Sequence, residues 1–216
     1  CIVAREQTAG RGRLGRQWLS PRDAGIYCST LLRPQFDQKF WPLITLMSAV
    51  AVHDALLEAC VLQTDIKWPN DLLYDEKKLC GILAEISETP SGRAVIVGIG
   101  INLTNDSFPA ELEVTATSIG ATGRKPDPEK ILRQLQQCLV VWYQRLKEPG
   151  GPADIVSAWS ERSSYANGKQ IRIKDGDIEI NGTTRGLEPE GALRLETETG
   201  EIKIVRAGDV SLRTLE

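Results

Sequence analysis

Residues 10–16 read Gly-Arg-Gly-Arg-Leu-Gly-Arg, and with Arg5 they set four arginines against the single Glu6 in the first 16 positions. Concentrated positive charge on a glycine-permissive backbone suits an anion. Glycines let peptide N–H groups approach a phosphate or carboxylate, and the planar guanidinium offers paired donors to its oxygens. The plain alternatives are a solvated basic loop, or an Arg/Gly segment that binds RNA without sequence preference.

A second segment is Asp65-Ile66-Lys67-Trp68-Pro69-Asn70-Asp71. Strand alternation puts Lys67 opposite Ile66 and Trp68, and Pro69 turns the chain at once. On an inward face the Lys67 ammonium needs an anion: a ligand carboxylate or phosphate, with Asp65 or Asp71 to hold it otherwise. On an outward face it is an ordinary strand lysine before a turn. The third segment, Val97-Gly98-Ile99-Gly100-Ile101-Asn102, strips one face of a strand of side chains. That makes room for a flat ligand or for a closely packed helix. It lacks the third glycine and the following helix of a dinucleotide fingerprint, and the chain has no P-loop pattern, so any nucleotide is held in another way.

These segments need a scaffold, and composition says what kind. The 216 residues carry 26 Lys and Arg against 29 Asp and Glu, a formal charge of −3, with 41% hydrophobic residues. That is a globular composition, long enough for one large domain or a domain with a small appendage. The apolar stretch Trp41 to Val52 is interrupted by Thr45 and Ser48 and falls short of the roughly 20 residues a membrane span needs, so a soluble, cytoplasmic protein is expected. The five cysteines are scattered and form no C-x-x-C pair, which suggests reduced thiols and no metal centre. His53 is the only histidine, which removes triads and multi-histidine metal sites; it is read as a helix residue without chemistry. The chain opens on Cys1, already in a strand, so an upstream segment is expected.

Strands are expected at 1–6, 26–33, 65–68, 72–74, 79–86 and 94–103, with Asp75-Glu76-Lys77-Lys78 as a hairpin turn. Buried and amphipathic helices are expected at 43–59 and 128–146, with a shorter one at 154–162. Beyond Tyr165, short alternating strands punctuated by Asp175-Gly176 and Asn181-Gly182 suggest a small β-barrel, dividing the chain into 1–164 and 165–216.

In this order and spacing, Glu6-Gln7-Thr8-Ala9-Gly10-Arg11-Gly12-Arg13, Lys67-Trp68-Pro69-Asn70-Asp71, Lys78-Leu79-Cys80-Gly81-Ile82-Leu83 and Gly98-Ile99-Gly100-Ile101-Asn102-Leu103 resemble the catalytic domain of biotin protein ligases. The stretch 182–213, with Thr184-Arg185-Gly186-Leu187, Gly191-Ala192-Leu193 and Val210-Ser211-Leu212-Arg213, is similar to the family's SH3-like C-terminal domain.

The resemblance implies an α+β fold: a mixed sheet flanked by helices, as in class II aminoacyl-tRNA synthetases, followed by an SH3-like barrel. It implies adenylation of biotin by ATP with Mg²⁺, then transfer to a lysine of a biotin carboxyl carrier protein. Arg13 and Lys67 are the expected catalytic groups. Gln7, Arg11, Gly12, Arg13 and Lys67 are expected at biotin; Arg13, Arg16, Trp18, Asn70, Gly98, Gly100 and Asn102 are expected at ATP. A homodimer is expected to be within reach, and DNA binding only if a helix-turn-helix domain lies upstream. The family's Ser-Thr-Asn motif belongs before the point where this chain begins. Lipoate protein ligase, with the same fold and activation chemistry, is the near alternative. A nucleic-acid module is the distant one, disfavoured by a 165–216 region with eight Lys/Arg against ten Asp/Glu.

Overall fold

A computed structural model describes residues 1–106, 108–175, 178–206 and 208–212. Gly176 of the expected Asp175-Gly176 turn and Arg213 of the last motif lie outside the described residues.

The first sheet contains β1 (Ile2–Ala4), β2 (Gly25–Leu32), β3 (Asp65–Lys67), β4 (Asp71–Tyr74), β5 (Lys77–Thr89) and β6 (Gly92–Asn102), in the order β1-β2-β6-β5-β4-β3. Its named strands pair antiparallel. A parallel bridge joins Lys78 to Ala116. The helix α1 (Leu43–Cys60) is apolar nearly all round because most of it is covered: it packs against β3, β4 and β5 and against α3 (Pro128–Lys147) and α4 (Gly151–Glu161). By length and apolarity it could cross a membrane, yet 67% of it is buried inside the protein. The α3 helix is amphipathic, with Ile131, Leu135, Cys138 and Leu146 inward, and the Asp127 carboxylate caps its start by accepting from the Lys130 N–H at 3.0 Å. The α4 helix starts three residues earlier than expected, at Gly151, because Pro152 is tolerated in a first turn whose N–H groups have no helical partner. A short α2 (Ala110–Glu113), which the sequence reading does not anticipate, follows β6.

The expected four-residue hairpin turn is only two residues long. Asp75 and Glu76 take φ of +50° and +59°, as the tight turn matching strand twist requires, and Tyr74 pairs directly with Lys77. Lys77 and Lys78 therefore belong to β5.

The second sheet, in the order β10-β9-β8-β7-β11, is made of β7 (Asn167–Asp175), β8 (Ile178–Leu187), β9 (Leu193–Glu196), β10 (Ile202–Val205) and β11 (Asp209–Leu212). Its inward residues Ile171, Ile173, Leu193 and Leu195 join the same apolar core as α1. Trp68, in the bend between β3 and β4, is buried there and donates its indole N–H to the Gly191 carbonyl at 3.0 Å.

Candidate active site

Helices cover one face of the first sheet, so the other is free to bind. Register builds that face in three rows across β2, β6 and β5: Tyr27–Gly100–Gly81, Ser29–Gly98–Leu83 and Leu31–Ile96–Glu85. The intervening Cys28, Ile99 and Ile82 point into the core. The period-two glycines of β6 thus lie on the open face.

The Gly/Arg segment is a hairpin folded over these rows. The Trp18 N–H donates to the Gly10 carbonyl at 2.9 Å, the Gly12 N–H to Arg16 at 2.7 Å and the Gln7 N–H to Ser20 at 3.1 Å. Gly10 is required by contact: a Cβ there would meet the Trp18 carbonyl at 2.3 Å. Leu14 and Gly15, at φ +55° and +74°, turn the tip.

Beneath this hairpin is a cavity of about 230 Å³ lined by Gln7, Arg11, Gly12, Arg13, Arg16, Trp18, Asn70, Asp71, Lys78, Glu85, Gly98 and Gly100. It adjoins a second cavity of about 620 Å³, lined by Lys67, Asn102, Phe108 and Leu112 among others. Gln17, Trp18, Tyr27, Asp71 and Lys78 line both and lie between them.

Nearly all the expected site residues border the first cavity; Lys67 and Asn102 border the second. The lysine that lines the first cavity with Arg13 is Lys78. Its Nζ lies 2.7 Å from Asp71 Oδ1 and 5.4 Å from the centre of the Trp18 ring. Asp71 stands opposite Lys67 in the β3–β4 register and is also paired with Lys78, and Asp65 accepts from the N–H and hydroxyl of Ser164 at 2.7 and 2.6 Å. Asn102 donates to the Thr117 carbonyl at 2.9 Å, which ties the end of β6 to the segment running beside Lys78. Lys78, named within a family motif but given no site role, and Glu85, which the sequence reading does not single out, also line this cavity. The available signal for Lys78 was its place at the head of Lys78-Leu79-Cys80-Gly81, hidden by treating residues 75–78 as one polar turn.

Four cations, Arg11, Arg13, Arg16 and Lys78, face two carboxylates, Asp71 and Glu85, around the first cavity. Lys78 pairs with Asp71, and Arg11 with Glu85 at 2.7 Å. Arg13 instead donates to neutral oxygens, Asn70 Oδ1 at 3.2 Å and the Gly208 carbonyl at 3.3 Å, so these contacts leave its charge available to an anion. Gln7 Oε1 accepts from the Ser20 hydroxyl at 2.7 Å.

Trp18 fills part of the space the glycines open. A Cβ on Gly100 would stand 2.4 Å from its Nε1, and one on Gly81 2.8 Å from its ring. Gly98 is different: a Cβ there would meet only the Leu83 carbonyl, at 3.6 Å. The buried Trp18 indole N–H has no partner among the described residues, a donor that a ligand oxygen or ring nitrogen can satisfy. A cationic cavity on a flat floor with an indole edge suits an acid joined to a planar heterocycle.

The sequence model of the Biotin/lipoate A/B protein ligase family matches residues 1–102, and that of the biotin protein ligase C-terminal domain matches 167–213. The bifunctional ligase/repressor BirA of Bacillus spizizenii is 39% identical over 98% of this chain. The chain spans 65% of that relative's length, slightly under two thirds. The biotin–[acetyl-CoA-carboxylase] ligase of Paracoccus denitrificans is 38% identical over 97% of this chain and 88% of its own. Among solved structures, a biotin protein ligase from Aquifex aeolicus in complex with biotin and ATP superposes with a TM-score of 0.84 at 33% identity, covering 98% of this chain and 87% of that one.

Proposed function

Because the chain belongs to the biotin protein ligase family, we propose that it adenylates biotin with ATP and transfers the biotinyl group to a lysine of a biotin carboxyl carrier protein. In the first step a biotin carboxylate oxygen attacks the α-phosphorus and pyrophosphate leaves. In the second, the carrier amine attacks the acyl carbon, AMP leaves and the amine loses its proton. A free carboxylate is a poor acyl donor; the adenylate supplies the leaving group.

The observation that carries this reading is the convergence of Arg13 and Lys78 on one cavity above Gly98 and Gly100. Attack of one anion on another needs compensating charge, and preorganised cations in a recessed site provide it more effectively than water does. Arg13 and Lys78 are assigned to the reacting carboxylate and phosphate, and Arg16 to the departing pyrophosphate. Gln7, Arg11 and Gly12 are assigned to biotin, and Trp18, Gly98 and Gly100 to the adenine end. Lys67 and Asn102 serve from the adjoining cavity. The hairpin over the cavity limits water reaching the adenylate.

Among the described residues no three ligating side chains converge on a metal, and Asp71 and Glu85 each hold a cation. Mg²⁺ thus fits as the companion of the ATP phosphates, as is usual for this ion. Catalysis is assigned to 1–164, with 165–216 supporting it through Gly191 and Gly208. A soluble, cytoplasmic setting suits the buried α1 and the absence of paired cysteines among the described residues.

The deciding experiment is ATP–pyrophosphate exchange with biotin, lipoate or no acid added. Exchange with biotin alone supports the proposal, as does subsequent mass gain on a carrier domain. Exchange with lipoate and none with biotin overturns it.

A further inference from the structure

Asn70 is 9% exposed and locked at both ends of its amide. Its Nδ2 donates to the Ile82 carbonyl at 2.9 Å, which leaves Oδ1 facing the Arg13 guanidinium at 3.2 Å. Its backbone carbonyl accepts from the Ile82 N–H at 2.9 Å, so the residue is riveted to β5 through main chain and side chain alike. On the same Arg13 nitrogen, the Gly208 carbonyl of the second sheet supplies another acceptor at 3.3 Å.

We propose that Asn70 is a positioning residue: with the Gly208 carbonyl it forms a charge-neutral cradle that aims Arg13 into the cavity. This deepens the adenylation reading and rests on it. A carboxylate at the same place would hold the guanidinium more tightly but cancel the charge that the reacting anions need. A neutral amide fixes direction while sparing charge. The cradle also explains how a hairpin held mainly by its own hydrogen bonds keeps one arginine in register with the floor beneath it. The Asn70 amide acts through Arg13 and not on the nucleotide directly.

A double-mutant cycle on ATP–pyrophosphate exchange tests this, with melting temperature followed in parallel. Residues that work through one another give non-additive effects. Asn70→Ala alone is expected to lower kcat/KM for ATP by about 10-fold, mainly in kcat. In an Arg13→Ala background the same change is expected to cost less than about 2-fold. Asn70→Asp is the second arm, expected to slow exchange in the parent and to have little effect without Arg13. It also serves the cycle if Asn70→Ala does not fold. Equal losses with and without Arg13, in whichever arm folds, would mean a merely structural or direct nucleotide role and overturn the proposal. Parent protein inactive with biotin would overturn the adenylation reading and this inference with it; an active parent with additive losses would overturn the inference alone.

Discussion

Lys78 Nζ lies 2.7 Å from Asp71 Oδ1, across a hairpin whose turn is only Asp75-Glu76. With side chains 34% and 21% exposed, the pair is half-recessed, and the ammonium sits at the wall shared by both cavities. Removing it takes away a cation that lines the same cavity as Arg13. Lys78→Ala is expected to lower biotin-dependent exchange by about 10³-fold, the scale of losing one preorganised electrostatic partner, with the fold retained. Lys67→Ala, changing the adjoining cavity, is expected to cost less. Equal losses in the two variants would move the reacting centre toward Lys67.

The two β6 glycines should separate in a mutational test. Gly100→Ala places a methyl 2.4 Å from the Trp18 indole, so the ring must leave the floor, and KM for ATP is expected to rise with some loss of stability. Gly98→Ala has ordinary contact at 3.6 Å, so the melting temperature should hold while the narrowed cavity weakens ligand binding. Calorimetric melting and saturation kinetics distinguish them. If both variants melt with the parent and keep its KM, neither glycine lies beneath the nucleotide.

How much of this was legible beforehand depends on what each element needs to know about its neighbours. The α3 helix follows from apolar periodicity and α1 from a continuous apolar run, because the residues that make them also bury them. The glycines at 98 and 100 were visible as a stripped strand face, and register places that face over a cavity. Lys78 appeared in a motif but received no role, because turn length depends on backbone signs at Asp75 and Glu76, and Glu76 carries no sequence signal for positive φ. Trp18 filling the floor, and Gly208 reaching Arg13 from 195 positions away, are tertiary facts with no local pattern.

The bond from Trp68 to Gly191 fastens the second sheet to the bend that carries Asn70 and Asp71. Trp68→Phe keeps most of the buried ring and removes the N–H, leaving the Gly191 carbonyl without that donor. A loss of about 1–3 kcal/mol in unfolding free energy is expected, read by denaturant titration. Gly191→Ala should cost more, because φ is +89° and its methyl would meet Leu46 at 2.9 Å and Leu43 at 3.0 Å. A Trp68→Phe variant as stable as the parent would show that this bond does not help hold the second sheet.

His53 gives the fold a pH dependence of defined sign. The ring is 5% exposed, with Nδ1 3.0 Å from the Thr64 hydroxyl oxygen. Burial is the main influence and lowers its pKa below the ordinary 6.5; Asp54 opposes this, while Arg162 reinforces it. Arg162 also holds Asp54, Nε to Oδ1 at 2.7 Å, and Asp65 is the remaining charged neighbour. In the window between the unfolded pKa and the depressed folded one, the unfolded chain binds more protons, so stability rises with pH there. The His53 contribution is therefore full above 6.5 and is lost as pH falls through the folded value. Melting temperature from pH 7.5 to 5 should fall more steeply in the parent than in His53→Gln, whose amide does not titrate. Parallel pH profiles for the two proteins would remove His53 as the source.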